Sequence, residues 1–101
     1  MGTSYRYTCG GCGYEAQASG GRDVGGMAVV RTMFCRGCRE LVDVLIGKFG
    51  MDGPIGDADY DRDLGICPEC RGADVVVWVD GNPCPRCKGR MVRGEDFIMW
   101  D

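Results

Sequence analysis

Four Cys-x-x-Cys pairs account for every cysteine in the chain: Cys9/Cys12, Cys35/Cys38, Cys67/Cys70 and Cys84/Cys87. Two cysteines spaced in this way can turn both sulfurs towards one ion, and two such pairs close a tetrahedral thiolate shell. Eight sulfurs at four per ion imply two ions. Zinc is the expected metal and iron the alternative, because four thiolates do not by themselves choose between them. With every thiol spent and no histidine in the chain, neither site keeps an open position for water or substrate, and no imidazole base is at hand. The chain is therefore expected to be non-enzymatic.

The elements that position these pairs must come from a chain of 101 residues with 18 glycines. Units of about 40–50 residues lie near the lower limit for a purely hydrophobic core. A four-thiolate zinc site contributes roughly 10–16 kcal/mol of apparent binding free energy to the folded state. The apolar residues are thus expected to complete a fold that metal holds. A disulfide-stapled secreted domain is the competing use of so many cysteines. The first residues, Met1-Gly-Thr-Ser-Tyr-Arg6, show no apolar leader and lack the hydroxyl residue that a myristoylation motif needs at Arg6. No segment approaches the apolar length of a membrane span. A cytoplasmic location with reduced, metal-binding thiols is the expectation.

The cysteine pairs are separated by 22, 28 and 13 residues in turn. The longest gap contains Gly50-Met-Asp-Gly-Pro-Ile-Gly-Asp-Ala-Asp-Tyr-Asp-Arg-Asp-Leu-Gly65, whose composition predicts a solvated acidic connector. That places an N-terminal unit at 1–50, a linker at 51–65 and a C-terminal unit at 66–101. In the last unit, Cys67-Pro-Glu-Cys70-Arg-Gly72 and Cys84-Pro-Arg-Cys87-Lys-Gly89 repeat one pattern. Its glycine is expected to let backbone N–H groups face the sulfurs. Cys9-Gly-Gly-Cys12-Gly13 meets the same need with glycines, and Cys35-Arg-Gly-Cys38-Arg39 is the least regular. Strands are predicted at Tyr5–Cys9, Met27–Phe34, Leu41–Ile46, Ala73–Val79 and Phe97–Trp100, the last packing on the C-terminal unit, with little or no helix.

Each half resembles a zinc ribbon, in which two Cys-x-x-Cys knuckles at hairpin tips clamp one zinc beside a small sheet. The resemblance implies a small, metal-stabilised, β-rich fold of two tandem rubredoxin-like units. Sequential pairing of the knuckles, first with second and third with fourth, closes the shortest loops and is favoured on entropy. Nested pairing is the arrangement of the DnaJ-type cysteine-rich domain, whose Cys-x-x-Cys-x-Gly-x-Gly repeat none of the four pairs carries in full. Tyr5-Arg-Tyr-Thr-Cys9-Gly-Gly-Cys12-Gly13-Tyr14 also resembles the opening of a rubredoxin, which implies an iron electron carrier. The partner knuckle of that family reads Cys-Pro-x-Cys-Gly, and Cys35-Arg-Gly-Cys38-Arg39 lacks both the proline and the glycine.

Zinc ribbons serve many ends, so function rests on surface chemistry. Eight thiolates and two divalent ions take the formal charge from −3 to −7. This favours docking to a protein partner over binding to nucleic acid. The nucleic-acid alternative would use the stripe Arg86, Lys88, Arg90 and Arg93. Asp57, Asp59, Asp61 and Asp63 alternate as in a calcium loop but lack its glycine and final glutamate, so they are assigned to the linker. Ser19-Gly-Gly-Arg22-Asp23-Val-Gly-Gly26 is assigned to a flexible loop. Among the aromatic residues, Trp78 is expected in the core. Trp100, followed by the charge of Asp101, is the freer of the two tryptophans to meet a partner.

Overall fold

The computed structural model describes residues 2–100; Asp101 lies outside them. Its elements are β1 (Gly2–Cys9), β2 (Glu15–Ala18), β3 (Arg22–Gly25), β4 (Ala28–Cys35), β5 (Glu40–Lys48), β6 (Met51–Asp52), α1 (Ala58–Asp61), β7 (Val75–Val77) and β8 (Met91–Trp100). The fold is small and β-rich, as expected, and its single described helix has four residues.

Two sheets share the strands. One has the order β2-β1-β8, and the other the order β3-β4-β5-β6, with β7 added to β4 beyond β3. Strand β4 is long enough to serve both, pairing Arg31–Ala28 with β3 and Met33–Cys35 with β7. Its apolar run Ala28-Val-Val-Arg-Thr-Met-Phe-Cys35 supplies side chains to both faces, which suits a central strand. Strand β5 adopts the extended form that its β-branched residues favour.

The terminal strand differs from expectation. Phe97–Trp100 is the end of a ten-residue strand, and it pairs antiparallel with β1 in the N-terminal half, not with the C-terminal segment. Gly94-Glu-Asp96 interrupts the apolar pattern and hides the strand's length. A bulge opposite Arg6, where the register slips between Tyr5 and Tyr7, absorbs the interruption.

The segment expected to be a flexible loop contains β3, paired with β4 in a tight hairpin. Behind it, the Asp43 carboxylate accepts hydrogen bonds from the Ser19 N–H and hydroxyl and from the buried Thr32 hydroxyl, tying β2, β4 and β5 together. The acidic connector is also built rather than free. Asp57 caps α1 by accepting from the Asp59 and Tyr60 N–H groups, and Asp61 accepts from those of Ile55 and Gly56. Tyr60 donates to the Gly47 carbonyl at 2.7 Å, and Arg71 pairs with Asp63. Asp57 and Asp61 are thus local hydrogen-bond acceptors, while Asp59 and Asp63 face Arg62 and Arg71.

Candidate metal centres

The strand registers decide which cysteines meet. Pairing of β1 with β8 sets Cys9 opposite Met91, a few residues past Cys84 and Cys87. Pairing of β4 with β7 sets Cys35 opposite Val75, just past Cys67 and Cys70. Two groups result: Cys9, Cys12, Cys84 and Cys87 form the outer site, and Cys35, Cys38, Cys67 and Cys70 form the inner one. The expected sequential pairing is therefore replaced by a nested one, and each site takes one knuckle from each side of residues 51–65. Loop entropy could not have decided the matter. Doubling a loop costs only about 0.6 kcal/mol, less than a few strand pairs return.

The geometry fits a bound ion. Within each group all four sulfurs lie within 4.8 Å of one another. The cross-knuckle separations are 3.4 Å for Cys9–Cys87, 3.8 Å for Cys12–Cys84, 3.6 Å for Cys35–Cys70 and 3.7 Å for Cys38–Cys67. Four thiolates about 2.3 Å from a central zinc stand roughly 3.8 Å apart along each edge of the tetrahedron. All eight cysteines named from the sequence fall in one group or the other.

One turn is used four times. The residue after each second cysteine donates its N–H to the carbonyl of the first: Gly13 to Cys9, Arg39 to Cys35, Arg71 to Cys67 and Lys88 to Cys84. All four have positive φ, between 60° and 79°. Glycine adopts this region freely, whereas arginine or lysine does so at a cost of about 1–2 kcal/mol. The irregular Cys35 knuckle therefore makes the same turn as the others, with Arg39 accepting the strain. The glycine of the Cys-Pro-x-Cys-basic-Gly repeat sits one residue later, and at Gly89 its N–H faces the Cys87 sulfur at 3.3 Å, as expected. A Cβ at Gly89 would stand 3.1 Å from the Cys87 sulfur and 3.2 Å from that of Cys9.

Backbone dipoles and crowding divide the thiols. The Cys12 N–H pulls the Cys9 thiol down to about 6, opposed by burial and aided by the Gly11 N–H, 3.3 Å from the sulfur. The Cys38 N–H brings Cys35 to about 7, again against burial. Burial, then the neighbouring Cys35 and Cys67 thiols, push Cys38 up to about 12. Each group thus offers a lowered thiol, Cys9 or Cys35, beside a raised one, Cys87 or Cys38, and a dication at the centre would displace their protons.

A polar bridge joins the sites. Arg86, in the last knuckle, donates to the Arg39 carbonyl and to Glu40 Oε1, both at 2.8 Å. It also lies 4.0 Å over the ring of Tyr14. The Tyr14 hydroxyl donates to Glu40 Oε2 and accepts from the buried Leu41 N–H. Knuckles of both sites thereby meet at one arginine. No spacing rule on the sequence pointed to this contact.

The other singled-out residues have plain structural positions. Trp78 is buried against Tyr7 in an edge-on contact and donates to the Pro83 carbonyl. The Trp100 ring lies on the backbones of Gly2 and Gly25, where an added Cβ would come within 2.4 Å of it. Of the basic stripe, Arg86 is committed to the bridge, and Arg93 pairs with Asp80 at 3.3 Å while covering Tyr5. Among the described residues, no helix is long and apolar enough to cross a membrane. Comparison with protein-family models, with curated proteins and with solved structures finds no match.

Proposed function

We propose that this chain is a double zinc-ribbon-type protein that holds two zinc ions in closed four-thiolate sites and acts, without catalysis, as a docking module for a protein partner in a reducing compartment such as the cytoplasm. The observation that carries the reading is the pair of sulfur clusters at tetrahedral spacing with all eight thiols used. Closed sites leave the metals to rigidify the knuckles, so function passes to the surfaces between them. A protein partner is favoured by the charge of −7 expected for the loaded chain and by the internal use of Arg86 and Arg93, which depletes the stripe that nucleic acid would need.

A second reading, an iron electron carrier, gains from the nested pairing. The rubredoxin-like knuckle Cys9-Gly-Gly-Cys12-Gly13 meets Cys84-Pro-Arg-Cys87-Lys88 and not the Cys35 knuckle. The proline of that family's partner knuckle is therefore present as Pro85, and only its glycine is replaced, by Lys88 in the same left-handed conformation. Metal analysis and the visible spectrum of protein purified without added metal separate the two readings. Two zinc ions and no colour are expected. Iron in the outer site, with a red chromophore that bleaches on reduction, would replace docking by electron transfer.

A further inference from the structure

Strand β8 takes β1 along one side and ends its sheet on the other. Proteins usually blunt such an edge with charge or a bulge. Here those devices are confined to its middle, at Gly94–Asp96. Beyond them, Phe97, Ile98 and Met99 are 58%, 58% and 57% exposed. Consecutive strand residues point to opposite faces. Phe97 and Met99 therefore share the face of Tyr5, whose ring lies 6.3 Å from that of Phe97, and Ile98 lies on the other face opposite Ser4. An apolar edge open on both faces is what an added strand covers.

Size and charge choose the occupant. Three side chains offer on the order of a few hundred Å² of apolar surface, well short of the roughly 800 Å² per partner that a stable dimer buries. A second copy would also bring its own expected charge of −7. Glu95 and Asp96, immediately before the apolar residues, have no ion-pair partner among the described residues. Together with Gln17 and with Arg6, whose guanidinium lies 4.0 Å from Glu15, both line a hollow of about 290 Å³ that reaches Phe97 and Ile98.

From this we infer that the outer edge of β8 at Phe97–Met99 receives an extended basic peptide as an added β-strand. The peptide's alternate apolar residues meet Phe97 and Met99 on one face and Ile98 on the other, and its lysine or arginine faces Glu95 and Asp96. The inference rests on the docking reading and names its surface and the chemistry of its partner.

The test titrates soluble alternating valine–lysine peptides into the isotope-labelled, zinc-loaded 101-residue chain and follows the backbone amides by NMR. Saturable shifts confined to Arg93–Trp100 and their β1 partners Thr3–Tyr5 are expected. Ile98→Lys, at an exposed position, should keep both metals and weaken binding about tenfold or more, as should exchanging the peptide's lysines for glutamate. The double change Glu95→Gln with Asp96→Asn should weaken it severalfold while sparing metal content. Saturable shifts elsewhere, for instance beside Val76 and Val77, would overturn the β8 assignment and leave docking standing. Absence of any shift would also overturn the assignment. So would a concentration-dependent dimer abolished by Ile98→Lys, in favour of a second copy. Redox-active iron would instead remove the docking reading itself.

Discussion

The outer and inner sites are made from the same knuckle and differ in what encloses them. The outer site leaves two thiols, Cys12 and Cys87, exposed and is backed by a large core containing Tyr7, Tyr14, Leu41, Trp78 and Met91. The inner site exposes only Cys70 fully, and its core is little more than Val42 and Val44 beside Cys35 and Cys67. The inner site closes the 28 residues between Cys38 and Cys67. The outer one closes the chain from Cys12 to Cys84, around the inner one. Loop entropy favours closing the inner site first, after which the outer site has less freedom left to lose. The difference teaches that an ion in the inner site would organise the middle of the chain and one in the outer site would clasp the segments around Cys12 and Cys84.

The largest effect should come from breaking one site at a time. Cys9→Ser is expected to reduce the content to one metal and to free Cys84 and Cys87, with a loss of about 5 kcal/mol or more given roughly 10–16 kcal/mol per structural zinc. Hydrogen exchange should show β8 opening while β4 and β5 stay protected. Disorder around Cys35 and Cys38 with Cys84 and Cys87 intact would restore sequential pairing.

Glycine substitutions sharpen the comparison. Gly89→Ala places a Cβ 3.1 Å from the Cys87 sulfur and should cost about 1–3 kcal/mol, read by denaturant titration together with faster loss of one metal to a chelator. Gly37→Ala, whose Cβ would meet the Cys35 and Cys70 sulfurs at 3.6 and 3.8 Å, should be near neutral. Equal costs at the two positions would contradict the crowding of Gly89 by the Cys87 and Cys9 sulfurs.

Removing the bridge should uncouple the sites. Arg86→Ala loses two hydrogen bonds and the stack on Tyr14, for about 1–2 kcal/mol. Zinc titrations should then show weaker coupling between the two binding steps; unchanged coupling would assign the arginine to stability alone.

A smaller effect belongs to the outer core at alkaline pH. Burial, then the Asp80 charge, raises Tyr7 to about 12, and burial raises Tyr14 to about 12 with Glu40 adding to it against the Leu41 N–H. Because the folded values stand above the ordinary value near 10, the stability these groups contribute is complete below pH 10 and is lost as pH rises towards 12. Tyrosinate absorbance should therefore lack these two residues at pH 11 and appear with unfolding. Their titration at pH 10 in the folded protein would contradict the burial.

Much of this was legible in the sequence, for identifiable reasons. The cysteine spacing names all eight ligand candidates because two intervening residues suffice to make a knuckle, and nothing distant is required. Strand β1 shows in the alternation of Tyr5-Arg-Tyr-Thr-Cys9, and β4, β5 and β7 show in their β-branched runs. The pairing of knuckles was hidden because it depends on which strands lie side by side, and the register that decides it, Cys9 opposite Met91, spans most of the chain. The length of β8 was masked by Gly94-Glu-Asp96. Asp57 and Asp61 looked like solvated charge because their partners are backbone N–H groups, which no composition reveals. Arg39, Arg71 and Lys88 carry the strained turn position that glycine marks only at Gly13.

The most direct measurement is cadmium-113 NMR on protein with both metals replaced by cadmium, correlating each metal with the β-protons of its cysteines. One cadmium should couple to Cys9, Cys12, Cys84 and Cys87, and the other to Cys35, Cys38, Cys67 and Cys70. A cadmium coupled to Cys9, Cys12, Cys35 and Cys38 together would contradict the nested architecture.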